Sequence, residues 1–342
     1  MSLAASRRAD FSEIPIIEIA ELGCESAAER AVVAAIRDAC ENVGFFYITE
    51  HGVPLEQQEA MFEQCRRFFS LPQVERDALL LTNSPHYRGY LPVGARGSDT
   101  RRQRDLLESF NIGSERGADD PFVKTGKPLH GPNQWPRRLP GFREAVLGYY
   151  LAMEMLMRRL LQGISLAMEL PRHALDGMFQ NPVSQLRLLH YPDQQGEIVD
   201  MIGARPHKDF GVLTILLQDE VGGLEVLNNS GEWVVAPPIR DAFVVNLGLM
   251  MLHLTNDRYQ AAQHRVINRY GRERYSVPFF INPDYDATLT TLPKFLRDGA
   301  SNYEAVYAGE KLRNFYHNLW PSAGNAATSK TIEPGRKGDE TE

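Results

Sequence analysis

A series of short apolar segments that begins at residue 183 constrains the fold of this chain most strongly. Each segment is rich in β-branched and aromatic residues, and clusters of glycine, proline and asparagine separate one segment from the next. The segments are SQLRLLHYP, VLTILLQDE, GGLEVLN, EWVVAPP, AFVVNLG, QHRVIN and RYSVPFFINP. Strands of this length and spacing are typical of an all-β sandwich or barrel. We therefore expect a β core in the second half of the chain.

Helical segments flank the expected β core on both sides. Ser26 and Glu29 form a capping-box pattern that predicts the start of an early helix. A long helix with one apolar side is predicted over 141–170, and another helix over 301–321. The predicted organisation is an N-terminal α/β region at 1–120, a linker and supporting helix at 121–182, the β core at 183–286, a C-terminal helix at 287–322 and a disordered tail at 323–342.

Charge, cysteine content and hydropathy limit the classes of protein to consider. The 342-residue chain has 37 basic and 44 acidic residues and a net charge of -7, which argues against a nucleic-acid-binding surface. Its 3 cysteines form no CxxC pair, which is typical of reduced thiols in a cytoplasmic protein. No secretory signal and no membrane-spanning run is visible. We expect a cytoplasmic protein with no nucleic-acid or membrane partner, a monomer or a weak dimer.

The stretch ARPHKDFGVLTILLQD suggests a metal site. His207 and Asp209 lie two residues apart, so on a strand their side chains would share one face. His264 opens another predicted strand and is a candidate third ligand, as is His190, whereas His253 is expected to be a packed core histidine. Two histidines and one carboxylate on a β scaffold form the facial triad of non-haem iron(II) oxygenases, which leaves coordination positions open. The same ligands could bind zinc, although the chain has no HExxH motif to supply a hydrolytic base.

A second group of residues, in RERYSVPFF, has the character of a carboxylate receptor. Strand alternation would place Arg274, Ser276 and Phe280 on one face. A guanidinium and a hydroxyl beside an aromatic wall can bind a carboxylate in an apolar pocket. Alone, this arginine could equally be a surface residue paired with an acid. However, Arg274 follows His264 by about one strand-turn-strand step, so one pocket could contain both the metal and the carboxylate anchor.

These motifs resemble the iron(II)/2-oxoglutarate-dependent dioxygenases, in the isopenicillin N synthase-like branch that includes many plant and microbial enzymes of secondary metabolism. The resemblance extends from about residue 14 to residue 320. In the first part of the chain it is carried by IPIIEI, ACENVGFFYITEHGVP, FFSLP and RGYLPVG. In the second part it is carried by LRLLHYP, HKDFGVLTILLQDEVGGLEV, TNDRYQAAQHRVIN and RYSVPFFINPDYD.

The resemblance implies a fold, a site and an activity. The fold would be mainly β, with a double-stranded β-helix (jelly-roll) core, an N-terminal α/β extension and a C-terminal helix. The implied iron ligands are His207, Asp209 and His264, and the implied 2-oxoglutarate anchor is Arg274, Ser276 and Tyr191. The implied reaction oxidises an unactivated C–H bond of a small molecule, by default through hydroxylation, and converts 2-oxoglutarate and O₂ into succinate and CO₂. Iron(II) would be the cofactor, with ascorbate as a reductant in vitro.

The chain departs from the family pattern at two positions, and two alternative functions stay open. Leu249 stands where the family commonly has aspartate, and His190 where asparagine often precedes the tyrosine. An oxidase of the same fold could use the arginine and serine for its substrate and need no 2-oxoglutarate. A non-catalytic metal-binding protein is the other alternative, although binding alone does not require open iron positions.

The substrate pocket is less clearly marked in the sequence than the metal site. The irregular stretch 82–140, rich in glycine, proline, aspartate and arginine, is expected to cover the substrate. The candidate pocket residues are Phe210, Phe280, Arg187, Tyr87 and Arg88. Aromatic rings would form apolar walls, and arginine and tyrosine would contact polar groups of the substrate.

Overall fold

A computed structural model of the protein describes residues 11–95, 105–193, 202–268 and 271–320. The helices are α1 (Ala27–Asn42), α2 (Leu55–Phe69), α3 (Gln73–Asp77), α4 (Pro121–Lys124), α5 (Phe142–Ala167), α6 (Leu249–Thr255) and α7 (Ala308–Leu319). The strands are β1 (Ile16–Glu18), β2 (Phe45–Thr49), β3 (Gly89–Leu91), β4 (Glu108–Gly113), β5 (Gln185–Tyr191), β6 (Ile202–His207), β7 (Leu213–Gln218), β8 (Leu224–Leu227), β9 (Trp233–Val235), β10 (Phe243–Leu247), β11 (His264–Ile267), β12 (Arg274–Ile281), β13 (Thr288–Leu289) and β14 (Val306–Tyr307).

Two sheets form the core. The larger is an 8-stranded sheet in the order β1-β2-β10-β7-β12-β5-β4-β3, and the smaller is a 4-stranded sheet in the order β6-β11-β8-β9. The strand pairs are antiparallel except for the parallel pair β1 and β2. From β5 to β12 the chain passes repeatedly from one sheet to the other, as in a jelly roll. The predicted mainly β architecture with flanking helices is confirmed.

Two strands of the larger sheet, β3 and β4, lie in the stretch 82–140, which the sequence predicts to be irregular throughout. That prediction is wrong for both strands, and the residues of β4 are all buried between β3 and β5. Polar residues such as Glu108 and Asn111 interrupt its apolar pattern. Glu108 is nevertheless satisfied inside the protein, because its carboxylate accepts hydrogen bonds from Arg76 at 2.6 Å and His190 at 2.7 Å. Strands from both sides of the predicted boundary at residue 120 therefore share one sheet.

Helices cover the face of the larger sheet that lies away from the smaller sheet. The ring of Tyr150 on α5 meets the ring of Phe279 on β12 at 5.2 Å, and that of Phe68 on α2 lies 4.2 Å from Phe110 on β4. The expected cap of α1 is present, since the Ser26 hydroxyl accepts a hydrogen bond from the Glu29 backbone N–H at 3.1 Å. α7 begins later than predicted because the residues just before it form β14.

Protonation of His253 is expected to destabilise the fold in acid. The side chain lies in α6, is 1% exposed, and has no hydrogen-bond partner for either ring nitrogen within the described residues. Burial lowers its pKa from 6.5 to about 4, so between these values the unfolded chain binds more protons than the folded one. The contribution of neutral His253 to the free energy of unfolding is therefore complete above pH 6.5 and is lost as the pH falls towards 4.

Urea unfolding of the metal-free protein at pH 7.5 and pH 5 tests this expectation. His253→Phe preserves a ring against Tyr303, which stacks on the histidine at 4.8 Å. The wild type should lose about 2 kcal/mol more free energy of unfolding than the variant over this range. Equal losses in the two proteins would show that His253 does not titrate as its burial implies.

Candidate active site

Three potential metal ligands converge where the smaller sheet meets the turn that leads to β7. His207 is the last residue of β6 and lies opposite His264, the first residue of β11. The Nε2 atoms of these histidines lie 3.7 Å and 3.8 Å from Oδ1 of Asp209. One ligand atom from each residue lies within 4.8 Å of the other two, so the three side chains could bind one metal ion.

Asp209 faces the histidines for a different reason from the one that the sequence suggests. Strand alternation would place it beside His207, but β6 ends at His207 and Asp209 lies in the following turn. The start of α6 holds this turn, since the Leu249 N–H donates to the Asp209 carbonyl at 2.8 Å. A Cβ at Gly248 would lie 2.9 Å from that carbonyl oxygen and 2.2 Å from that of Gly211, so only glycine allows this close approach.

Backbone carbonyls fix the orientation of both imidazoles. Nδ1 of His207 donates to the Arg205 carbonyl at 2.7 Å, and Nδ1 of His264 is 3.4 Å from the Ala262 carbonyl. Because a carbonyl oxygen can only accept, these contacts favour the tautomers with the proton on Nδ1. The Nε2 lone pairs are then directed towards Asp209, as metal coordination requires.

The Asp209 carboxylate is held by its second oxygen. Oδ2 accepts hydrogen bonds from Thr214 Oγ1 at 2.5 Å and from Asn246 Nδ2 at 2.7 Å, so Oδ1 is directed towards the histidines. Burial acts to raise the pKa of Asp209, but electrostatic interaction with the neighbouring rings of His264 and His207 and the two hydrogen bonds outweigh it, and the pKa lies below its usual value. The carboxylate is therefore ionised and oriented to bind a cation.

A buried arginine lies at the start of β12, beside the metal ligands. Arg274 is 0% exposed, and its Nε donates to the Gly222 carbonyl at 2.5 Å while Nη1 donates to Ser276 Oγ at 3.1 Å. The ring of Tyr191, its partner on β5, lies 4.7 Å from the Arg274 Cζ. Nη2 is buried and has no hydrogen-bond partner within the described residues. An unsatisfied buried donor on a cation is costly, and the carboxylate of a small molecule would satisfy it.

The metal ligands and the arginine line one cavity. Its walls include all six residues of the implied iron and 2-oxoglutarate sites, together with Arg187 and Phe280. Arg274, Ser276, Pro278 and Phe280 all face this cavity, as strand alternation predicts. Leu91, Pro92 and Ala95 contribute to the walls from the stretch that was expected to cover the substrate.

A second cavity extends from the same metal ligands to the C-terminal helix. It is lined by His207, Asp209 and Phe210 from the ligand turn, by Arg187 and Phe280 from the larger sheet, and by residues of α7. The α7 residues are Leu312, Phe315, Tyr316 and Leu319. The sequence predicts a helix there, but does not show which part of the fold that helix covers.

Two of the residues expected in the substrate pocket line neither cavity. Tyr87 packs beneath α7, with its ring 5.3 Å from Tyr316 and 6.2 Å from Trp320. Arg88 is 3% exposed, and its Nη2 donates to the Leu129 carbonyl at 3.0 Å. Both side chains are therefore part of the packing under the pocket, whereas Phe210, Phe280 and Arg187 lie on its surface.

The fold and the site define a jelly-roll iron(II)/2-oxoglutarate oxygenase. Residues 14–138 match the family model described as non-haem dioxygenase in morphine synthesis N-terminal, and residues 182–283 match that of the 2OG-Fe(II) oxygenase superfamily. The 2-oxoglutarate-Fe(II) type oxidoreductase hxnY of Emericella nidulans is 37% identical over 90% of this chain and 91% of its own. The chain belongs to the 2OG-Fe(II) oxygenase superfamily.

Two further relatives are consistent with this class. The 2-oxoglutarate-dependent dioxygenase citB of Monascus ruber is 37% identical over 79% of this chain and 84% of its own. A full-length protein of Neurospora crassa, solved in complex with alpha-KG and thymine, superposes with a TM-score of 0.78 at 26% identity and covers 87% of this chain and 95% of its own. The protein is a 2-oxoglutarate-dependent dioxygenase that uses iron(II) and O₂, and an oxidase without 2-oxoglutarate is not favoured.

Among the described helices, none has the length and apolar character needed to cross a membrane.

Proposed function

We propose that this protein hydroxylates an unactivated C–H bond of a small organic molecule in secondary metabolism, with 2-oxoglutarate and O₂ converted into succinate and CO₂. The observation that carries this proposal is the single cavity in which the two-histidine, one-carboxylate cluster lies beside the unsatisfied Nη2 of buried Arg274. A binding protein would need neither open metal positions nor a buried cation placed next to them. The cytoplasmic location inferred from the sequence is part of the same proposal.

The residues proposed to hold iron(II) are His207, Asp209 and His264. When bound, the iron supplies the oxidising chemistry, and the protein supplies binding, orientation and a site with little water. The carbonyls that bind the two Nδ1 atoms fix the imidazole planes, and Thr214 and Asn246 fix the carboxylate. These contacts would hold the three ligands ready for a metal ion while the cavity beside them stays free for the cosubstrate, substrate and O₂.

The proposed anchor for 2-oxoglutarate is Arg274 with Ser276 and Tyr191. The guanidinium is fixed before the cosubstrate arrives, because Gly222, Ser276 and the Tyr191 ring already contact it. Its Nη2 can then donate to the distal carboxylate, and the Ser276 hydroxyl can donate to the same group. A charged hydrogen bond in a buried site both binds the cosubstrate and orients its other end towards the metal.

Anaerobic addition of iron(II) and then 2-oxoglutarate to the metal-free protein tests the proposal without knowledge of the substrate. We expect a saturable visible charge-transfer band and, after oxygen is admitted, slow formation of succinate without added substrate. A protein that binds iron but shows no band at any 2-oxoglutarate concentration would contradict the proposal and favour the oxidase alternative. A protein that forms the band but no succinate under any condition would favour a binding role.

A further inference from the structure

A second arginine lies where the two cavities meet. Arg187 is on β5 and lines the first cavity together with Tyr191, so the two side chains share one face of the strand. They are four positions apart, or about 13 Å along the strand. Arg187 also lines the second cavity, with His207 and Asp209. It is therefore placed away from the 2-oxoglutarate anchor but in contact with the space next to the metal ligands.

An amide and three aromatic rings hold the Arg187 guanidinium in position. Its Nε donates to Oε1 of Gln185 at 2.7 Å, and the side chain is almost fully buried. Its Cζ lies over the three rings, 4.6 Å from the centroid of Phe280, 5.0 Å from that of Trp320 and 5.9 Å from that of Tyr316. These contacts orient the planar group. This arrangement is suited to recognise an anion.

The charged residues around the second cavity also favour an anionic ligand. Its basic lining residues are Arg187, Arg205 and Lys208, and its acidic ones are Asp105 and Asp209. Asp105 is paired with Arg205 at 3.1 Å, and Asp209 faces the two histidines of the metal cluster. A bound divalent cation would make the cavity more positive still. The cavity is therefore expected to attract anions.

Aromatic side chains form the rest of the wall. The rings of Phe210, next to the metal ligand Asp209, and Phe315, on α7, stack at 4.3 Å with an interplanar angle of 13°. Phe280, Leu312 and Leu319 extend this apolar surface towards Arg187. A flat ring can lie against such a surface better than a flexible polar chain, because it loses little conformational entropy and makes broad contact.

We propose that the substrate is a small aromatic carboxylic acid whose carboxylate pairs with Arg187 and whose ring lies against Phe210 and Phe280. The proposal rests on the function proposed above and names the substrate class of the same site. A planar guanidinium can bind a carboxylate through two parallel hydrogen bonds, which fixes the ring relative to the metal ligands. A site built in this way discriminates strongly against an analogue that lacks the charge.

Matched pairs of probes test the proposal by binding rather than by turnover. Benzoate, cinnamate and 2-naphthoate would be compared with their primary amides by calorimetry on the anaerobic protein loaded with iron(II) and 2-oxoglutarate. We expect at least one acid to bind about tenfold or more tightly than its amide. Arg187→Gln should remove this preference and Arg187→Lys should retain part of it. Arg313→Gln, which changes an exposed arginine of α7 outside both cavities, should leave it unchanged.

The titration of 2-oxoglutarate separates this inference from the proposed function. Arg187→Gln should keep the wild-type affinity for 2-oxoglutarate, which also shows that the variant is folded. Acids and amides that bind equally, an acid preference that survives Arg187→Gln, or the absence of binding by any of the acids would each overturn the aromatic-acid proposal. The proposed function fails separately, if the wild type forms no 2-oxoglutarate complex.

Discussion

Replacing Asp209 by alanine is expected to abolish retention of iron(II) and to lower 2-oxoglutarate turnover by at least roughly a thousandfold. Asp209 provides the only carboxylate in the cluster found among the described residues, and its Oδ1 lies close to both Nε2 atoms, at 3.7 Å and 3.8 Å. Two neutral imidazoles alone bind a hard divalent cation weakly, because neither supplies negative charge. Asp209→Asn keeps the size of the side chain and should lose most of the iron affinity for the same reason.

Two measurements decide this prediction. Iron content after equilibrium dialysis reports binding, and thermal unfolding of the metal-free proteins reports folding. Asp38→Ala, which removes an exposed carboxylate of α1, is the matched control and should retain iron as the wild type does. An Asp209→Asn protein that retains stoichiometric iron and turnover would show that the carboxylate is not a ligand. A loss of iron caused by unfolding would be visible as a large decrease in the melting temperature of the metal-free variant.

The sequence predicts the local arrangement of the site better than its surroundings. Alternation along one strand is a local property, so Arg274, Ser276 and Phe280 could be placed on one face from the sequence alone. The pairing of His207 with His264 connects residues far apart in the chain and could only be proposed. For Asp209 the expected convergence is present, but a turn held by α6 produces it rather than the pleat of a strand.

Long-range packing explains what the sequence did not reveal. The wall that α7 contributes to the second cavity depends on where that helix docks, and its own apolar spacing does not encode this. Tyr87 was expected in the substrate pocket but packs under Tyr316 of α7. The residues near Tyr87 in the chain could not reveal this contact, because it also depends on where α7 docks. β4 was not predicted because a glutamate, Glu108, interrupts its apolar pattern. Glu108 can be buried because it is hydrogen-bonded to Arg76 and His190, and no local sequence pattern reveals these partners.

Replacing Arg274 by methionine is expected to raise the half-saturating concentration of 2-oxoglutarate by at least about thirtyfold, and to leave iron binding intact. Removing one partner of a buried charged pair costs about 2–5 kcal/mol, and thirtyfold corresponds to about 2 kcal/mol. The methionine fills much of the volume of the buried side chain, so the loss should appear in cosubstrate affinity. Ser276→Ala removes one neutral donor, whose net value is about 1 kcal/mol, and should raise the concentration only about fivefold.

The anaerobic titration that detects the charge-transfer band measures both variants directly. Arg272→Met is the matched control, because Arg272 is exposed and pairs with Glu220 at 2.8 Å two residues before the anchor. It should titrate as the wild type does. If Arg274→Met binds 2-oxoglutarate with wild-type affinity, the distal carboxylate lies elsewhere in the cavity. If the serine variant is weakened as much as the arginine variant, the Ser276 hydroxyl matters for binding as much as the guanidinium does, either by direct donation to the carboxylate or by holding Nη1 of Arg274 in place.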